Sequence, residues 1–342
     1  MNEKTAVLLI NVGTPKSASV KDVKKYLKQF LGDGSVIEMP AILRYILVNF
    51  IIVPFRAKKS AAKYQEIWTK DGSPLLLNSI EFQKKLQKYF GDQLTIFLAM
   101  RYGNPSIERE LEKIKTGNFK QIFIVPLYPQ YSTSTTESSI IETKSKISLW
   151  DNKPNILELK YFWNEPLYIQ SFASQIKKYD FNNFDHILFS FHGLPLKQVQ
   201  NAHPEKNCTE LDCENIMNEE NSLCYQSACY RTVELLVKEL EIEKEFFSTT
   251  FQSRLTKNWL SPFTDEKLKE LVSIGKKRVL IICPSFVSDC LETLHEIEIE
   301  YQHFFKEIGG ESLTMVEALN SNDIWVENFG KIISGKINEH LN

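Results

Sequence analysis

The chain has 342 residues, with 41 Lys and Arg against 43 Asp and Glu and a formal net charge of −2. That length accommodates two domains of ordinary size, and 43% hydrophobic with 25% charged residues is the composition of a soluble globular protein. The near-neutral balance gives no electrostatic basis for binding nucleic acid.

The N-terminal "MNEKTAVLLINVG" has a short apolar run and no small-residue cleavage site. It reads as a first strand, not a signal peptide. Seven further apolar runs follow, most of them separated by longer helical patterns. The first half holds "AVLLINV" (6–12), "LTIFLAM" (94–100), "IFIVPLY" (122–128) and "ILELKYF" (156–162). The second holds "HILFSF" (186–191), "FFSTTF" (246–251), "RVLIIC" (278–283) and "LTMVEAL" (313–319). Amphipathic stretches such as 19–31 and 107–115 lie between them. Continuous apolar strands alternating with helices predict parallel sheet covered on both faces. The chain therefore reads as α/β, with two Rossmann-like lobes, each a four-stranded parallel sheet flanked by helices. The expected lobes span 1–165 and 166–320, and a terminal helix over 321–342 packs back on them.

The longest apolar stretch, "MPAILRYILVNFIIVPF" (39–55), contains Arg44, Asn49 and two prolines. It is too short for a bilayer span, which needs about 20 residues. Periodicity favours a buried helix; the sharper alternative is an apolar lip that touches a membrane or an apolar ligand.

Two features carry chemistry in the second half. His192 ends the apolar strand "ILFSFH", and ligands in such sheets gather beyond the carboxyl ends of strands. The strand 278–283 then leads into "PSFVSDCLETLHEIEIEYQHFF" (284–305). At the α-helical 100° per residue, Asp289, Glu292, Glu296, Glu300 and His303 share one arc, opposite Leu291, Leu294, Ile297, Tyr301 and Phe305. A row of carboxylates repels itself unless cations or water intervene, and hard oxygen ligands suit divalent metal. Asp289 and Glu292 also fit a capping box, with Asp289 as N-cap. An imidazole and a carboxylate facing each other can bind a metal or move protons.

Six cysteines without a secretory signal point to a reducing, cytoplasmic compartment, where clustered thiols are metal ligands more often than disulfides. Four of them, Cys208, Cys213, Cys224 and Cys229, form C-x4-C-x10-C-x4-C within an insertion over 205–230. Four thiolates can close a tetrahedral zinc site or hold a [2Fe–2S] cluster. Cys283 reads as a buried strand residue.

In order along the chain, "LLINVGTPKSASVKDVKKYLKQFLGD", "DGSPLL", "AMRYGNPSI", "VPLYPQYSTSTTESS", "SFHGLP", "TFQSRLTKNWLSPFTDEKL" and "FVSDCLETLHEIEIEY" resemble the ferrochelatases, enzymes that insert ferrous iron into a porphyrin. The resemblance implies two Rossmann-like lobes around a porphyrin cleft, with segment 39–55 as the lip over it. It puts the active-site histidine at His192 and the active-site glutamate at Glu292. Glu296 and Glu300 fall on acidic positions that guide or hold metal, and Arg101, Tyr102 and Tyr128 on positions lining the porphyrin pocket. Cys290 stands where many members have a histidine.

Some bacterial members carry a four-cysteine insertion at this place that holds a [2Fe–2S] cluster, which makes Cys208, Cys213, Cys224 and Cys229 the expected ligands and Zn²⁺ the alternative. Animal members use a C-terminal cysteine group and one cysteine where Thr133 stands here. The implied reaction takes Fe²⁺ and protoporphyrin to protoheme and needs no nucleotide cofactor, with peripheral contact at the inner face of the membrane through the lip. A coproporphyrin or cobalt chelatase, and a non-catalytic iron–sulfur protein that carries tetrapyrrole, are the competing readings.

Overall fold

The computed structural model describes residues 4–341. It divides into two units, one of residues up to 127, 133–160 and 321 onward, the other of 128–132 and 161–320.

The first unit is built on β1 (Thr5–Thr14), β2 (Thr95–Gly103), β3 (Gln121–Pro126) and β4 (Asn155–Glu158). All pairs are parallel, in the order β2-β1-β3-β4. Parallel strands need crossovers, and helices on both faces explain why β1 is buried along nearly its whole length. On one face Ala6, Leu8, Ile10, Ile122 and Ile124 meet Ile107, Leu111 and Ile114 of helix Ile107–Thr116. Helix Val20–Leu31 starts where the Ser19 hydroxyl accepts the Asp22 N–H, and it turns Val23, Tyr26, Leu27 and Leu31 inward. Gly13 sits at φ +103°, and a Cβ there would stand 1.7 Å from the Tyr102 carbonyl oxygen, so β1 and β2 converge at a point only glycine permits. The terminal helix Asp323–Leu341 packs on helix Pro74–Phe90, with Trp325 and Phe329 against Phe82.

The second unit repeats the pattern with β5 (His186–His192), β6 (Phe247–Gln252), β7 (Arg278–Ile282) and β8 (Ser312–Met315), ordered β6-β5-β7-β8 and again parallel. All eight strands fall on the eight apolar runs. In each unit the strand order reverses beside the first strand, between β1 and β3 and between β5 and β7. Crevices at such switch points, beyond the carboxyl ends, are where open α/β sheets bind ligands.

Segment 39–55 departs from the buried helix its periodicity favoured. It forms helix Ala41–Ile46, a π-helical turn Leu47–Ile52 and the start of helix Val53–Ile67. Ile42 (76% exposed), Phe50 (65%) and Phe55 (77%) face solvent, and only Val48 and Val53 in the stretch are fully buried. No helix among the described residues is long and apolar enough to cross a membrane.

Candidate active site and metal centre

β5 delivers His192 to its carboxyl end after six buried residues. The backbone around the ring is held from three directions. Gly193 donates its N–H to the Gln252 carbonyl (2.8 Å), the Tyr225 hydroxyl donates to the His192 carbonyl (2.9 Å), and the His192 N–H reaches Ser285 Oγ (3.3 Å). A Cβ on Gly193 would lie 2.7 Å from the Gln252 carbonyl oxygen, so this turn also requires glycine. Within the ring, Nδ1 is 2.6 Å from the Gly193 carbonyl and is therefore the protonated nitrogen, which makes Nε2 the proton-accepting atom. Trp259 and Phe286 flank the ring with centroids at 6.5 and 6.3 Å.

Beyond β7 the chain enters a π-helix, Glu292–Tyr301, that continues as α-helix Gln302–Glu307. An i→i+5 helix turns each residue by less than 100°, so Glu292, Glu296 and Glu300 stay near one line, but Asp289, which precedes the segment, and His303, which follows it, leave the arc drawn at 100° per residue. This corrects the five-residue acidic arc expected of an α-helix. Asp289 is buried, Glu292 and Glu296 are half-buried, and Glu300 and His303 are exposed. Glu300 lies beside the buried His295 (3.5 Å), and His303 beside Glu307 (3.2 Å). Asp289 does not cap the helix through Glu292. Its carboxylate accepts from the Thr293 hydroxyl (3.0 Å), Asn320 Nδ2 (2.7 Å) and the Ala318 N–H (3.4 Å). Burial pushes its pKa up, and those three bonds oppose the push. Of the expected core side, Ile297 and Phe305 are fully buried and Tyr301 packs against their cluster, while Leu291 and Leu294 are half-buried and stand outside it.

Glu296 is the electrostatic centre of this region. Burial pushes its pKa up and Glu292 adds to that, while hydrogen bonds from Ser253 and the charge of His192 pull it down. Ser253 gives Glu296 both its N–H (2.8 Å) and its hydroxyl proton. Gln252, paired with His192 in the sheet register, donates Nε2 to the Glu292 carbonyl (3.0 Å) and accepts from Ser190 Oγ (2.9 Å). The imidazole and two carboxylates thus share one neighbourhood, and Gln252 and Ser253 tie its parts together. Sequence reasoning passes over both; the one visible signal is their place just beyond an apolar strand, in "TFQSRLTK".

Arg101 and Tyr102, at the end of β2, are committed to Asp33. Arg101 Nη2 pairs with the Asp33 carboxylate and its Nε donates to Ser138 Oγ (2.9 Å); the Tyr102 hydroxyl donates to Asp33 Oδ2 (2.7 Å). Against the upward push of burial, the Ser35 N–H, the Tyr102 hydroxyl and Arg101 keep Asp33 below the usual carboxylate range. Tyr102 is 1% exposed and offers a ligand no surface, a departure from the pocket-lining place expected of it. Tyr128 follows β3 directly and is half-buried.

The cysteine insertion gathers a different ligand set from the four expected thiols. His203, Cys208, Cys213 and Cys224 each offer a ligand atom, all within 4.8 Å of one another. Cys229 is outside that group. It is fully buried near the start of helix Tyr225–Leu240, where burial pushes its thiol up. Cys283 and Cys290 are buried single thiols.

Two parallel four-stranded units in one chain, with an imidazole and carboxylates beyond the second unit's switch point, are the frame of the metal chelatases. The sirohydrochlorin chelatase SirB of Bacillus subtilis subspecies spizizenii, in complex with cobalt, has this fold, with a TM-score of 0.55 at 10% identity over 97% of this chain and 95% of that one. The chain belongs to the ferrochelatase family, lyases that insert metal into porphyrin in heme biosynthesis: the family profile matches residues 4–337. It is 42% identical over 335 residues to a ferrochelatase of Legionella pneumophila (strain Corby), covering 98% of this chain and all of that one. It is 40% identical over 341 residues to one of Coxiella burnetii (strain Dugway 5J108-111), covering 97% and 93%.

Proposed function

We propose that the chain inserts Fe²⁺ into protoporphyrin IX, with His192 as proton acceptor and Glu292 as the carboxylate that contacts the metal or relays the second proton. The observation that carries this reading is that Gln252, the register partner of His192, donates to the Glu292 carbonyl (3.0 Å) while its neighbour Ser253 holds the Glu296 carboxylate (2.8 Å). A free porphyrin must shed two pyrrole N–H protons as the dication enters, so charge balances only if acceptors stand beside the ring. His192 Nε2 is such an acceptor, held by a backbone that cannot drift. Glu292 and Glu296 can replace waters on the incoming cation, and exposed Glu300 is the outer station of the same path. A saddled macrocycle exposes its nitrogen lone pairs, and aromatic walls such as Trp259 and Phe286 favour holding it bent.

Tyr128 is assigned to porphyrin contact. Arg101 and Tyr102 are assigned the task of holding the end of β2 through Asp33. The exposed apolar lip, followed by exposed Arg56, Lys58 and Lys59, supports peripheral contact with the inner face of a membrane and an apolar-edged substrate. Coproporphyrin carries two more propionates and would need further cations. The four-cysteine [2Fe–2S] arrangement does not fit the ligand atoms, because Cys229 stands apart and His203 joins the other three thiols.

The test is Fe²⁺ insertion by wild type and His192→Ala. The substitution is expected to lower kcat by about 10²-fold or more, with porphyrin binding, followed by fluorescence, within a few-fold of wild type. Equal rates end the assignment of His192. A higher kcat/KM for coproporphyrin than for protoporphyrin ends the substrate assignment while leaving the chelatase reaction intact.

A further inference from the structure

We infer that the insertion is a single-ion zinc centre of Cys3His type, ligated by His203, Cys208, Cys213 and Cys224, with Cys229 excluded. The inference is independent of the insertion reaction and rests first on geometry. A tetrahedral zinc with Zn–S of roughly 2.3 Å and Zn–N of about 2.05 Å sets ligand–ligand edges near about 3.8 Å for S···S and about 3.5 Å for S···N. Cys208 Sγ lies 3.7 Å from Cys224 Sγ and 3.5 Å from His203 Nε2. A two-iron cluster instead divides its ligands into two pairs separated by both irons and their bridging sulfides. Four ligand atoms all within 4.8 Å of one another enclose one ion.

The surroundings complete the site. His203 Nδ1 is 2.7 Å from the Lys206 carbonyl, the outer hydrogen bond that fixes a ligating histidine's tautomer and turns its Nε2 lone pair to a metal. Asn221, fully buried, donates Nδ2 to Cys213 Sγ (3.4 Å) and to the Ile216 carbonyl (2.8 Å), and accepts the Asn218 N–H. An N–H directed at sulfur favours the thiolate that zinc requires. His203, Cys213 and Cys224 are shut from solvent, which closes the site as structural zinc sites are closed.

The loop's own need for a staple is the second argument. Between helices Leu196–Gln200 and Tyr225–Leu240, the regular structure among the described residues is one three-residue 3-10 turn, Glu219–Asn221. Apart from the ligands, Leu211 is the one buried apolar side chain over 201–224. So long a loop without a core is held by something other than apolar burial. Metal binding free energy becomes folding free energy in such a segment.

The experiment uses the full-length protein produced in medium containing both zinc and iron. Expected is one zinc per chain, no absorption in the visible region, and a zinc absorption-edge spectrum fitted by three sulfurs and one nitrogen. In chelator competition, His203→Ala should weaken zinc at least tenfold, His203→Cys should restore it, and Cys229→Ala should stay within twofold of wild type. Two irons and two sulfides per chain, visible bands, a four-sulfur first shell, or any other pattern among the variants overturns the inference. The wild-type spectrum alone distinguishes the two ligand sets, so a variant that does not fold leaves the zinc centre fully open to refutation.

Discussion

Ser253 adopts a left-handed backbone at φ +64°, uncommon outside glycine, and this points both its N–H and its hydroxyl at Glu296. Strain of this kind is found where surrounding structure enforces it, and functional sites are common places for it. Its effect is chemical. Burial drives Glu296 toward the neutral acid, and the Ser253 bonds and the charge of His192 oppose that. Removing the hydroxyl in Ser253→Ala leaves the carboxylate less stabilised, so Glu296 keeps its proton to higher pH. A neutral acid is a poorer ligand for Fe²⁺. The acid limb of the kcat/KM profile for insertion should therefore move to higher pH in this variant, with the deficit closing on the alkaline side. A deficit that is the same at every pH would mean that Ser253 acts on structure alone.

The lip shows how an element's environment can overrule its periodicity. Its apolar residues recur as they would in a core helix, yet Ile42, Phe50 and Phe55 stand in water. Being exposed, they contribute little to folding, so Phe50→Asp together with Phe55→Asp should leave the denaturation midpoint nearly unchanged. The same pair should at least halve sedimentation with anionic lipid vesicles, because each Phe can bury about 2 kcal/mol of side chain in the interface. Vesicle binding equal to wild type would remove the membrane assignment. The eight strands, by contrast, are legible, because a parallel strand buried on both faces leaves a short, predominantly apolar run, set off by helical patterns along the chain. His192 is legible because it interrupts such a run. The helix carrying Glu292 is legible in position but not in pitch: no local residue announces i→i+5 bonding, and the α-helical arc fails because Asp289 is drawn inward to Thr293 and Asn320. His203 escapes notice as a ligand because the symmetric cysteine spacing accounts for four ligands without it. The carbonyl that orients it, from Lys206, has no signature in side chains.

Across the whole molecule, ionisable groups shifted by their surroundings set pH slopes of opposite sign. His186, six residues before His192 on β5, has Nδ1 3.1 Å from the Lys276 ammonium and Nε2 2.9 Å from Ser248 Oγ. Burial first, then Lys276 and Lys267, lower its pKa to about 4 from 6.5. The unfolded chain therefore binds a proton below pH 6.5 that the folded chain refuses until about pH 4. Stability from this group is complete above pH 6.5 and declines as pH falls through that window, by roughly 1.4 kcal/mol per unit. Asp185, held by Arg278 down to about 2, and the lowered Asp33 give up stability only below their ordinary 3.8. Asp289, Glu296 and Glu298 run the other way: raised by burial, they favour folding most when protonated and lose that contribution as pH rises. These carboxyls act with the opposite sign in wild type, so a difference between two proteins isolates the histidine. Gln at 186 can donate to Ser248 and accept from Lys276 without titrating. Urea unfolding of wild type and His186→Gln should show wild type losing about 2 kcal/mol relative to the variant between pH 7 and pH 5. A difference that stays flat across that interval would place the proton uptake of acid unfolding elsewhere.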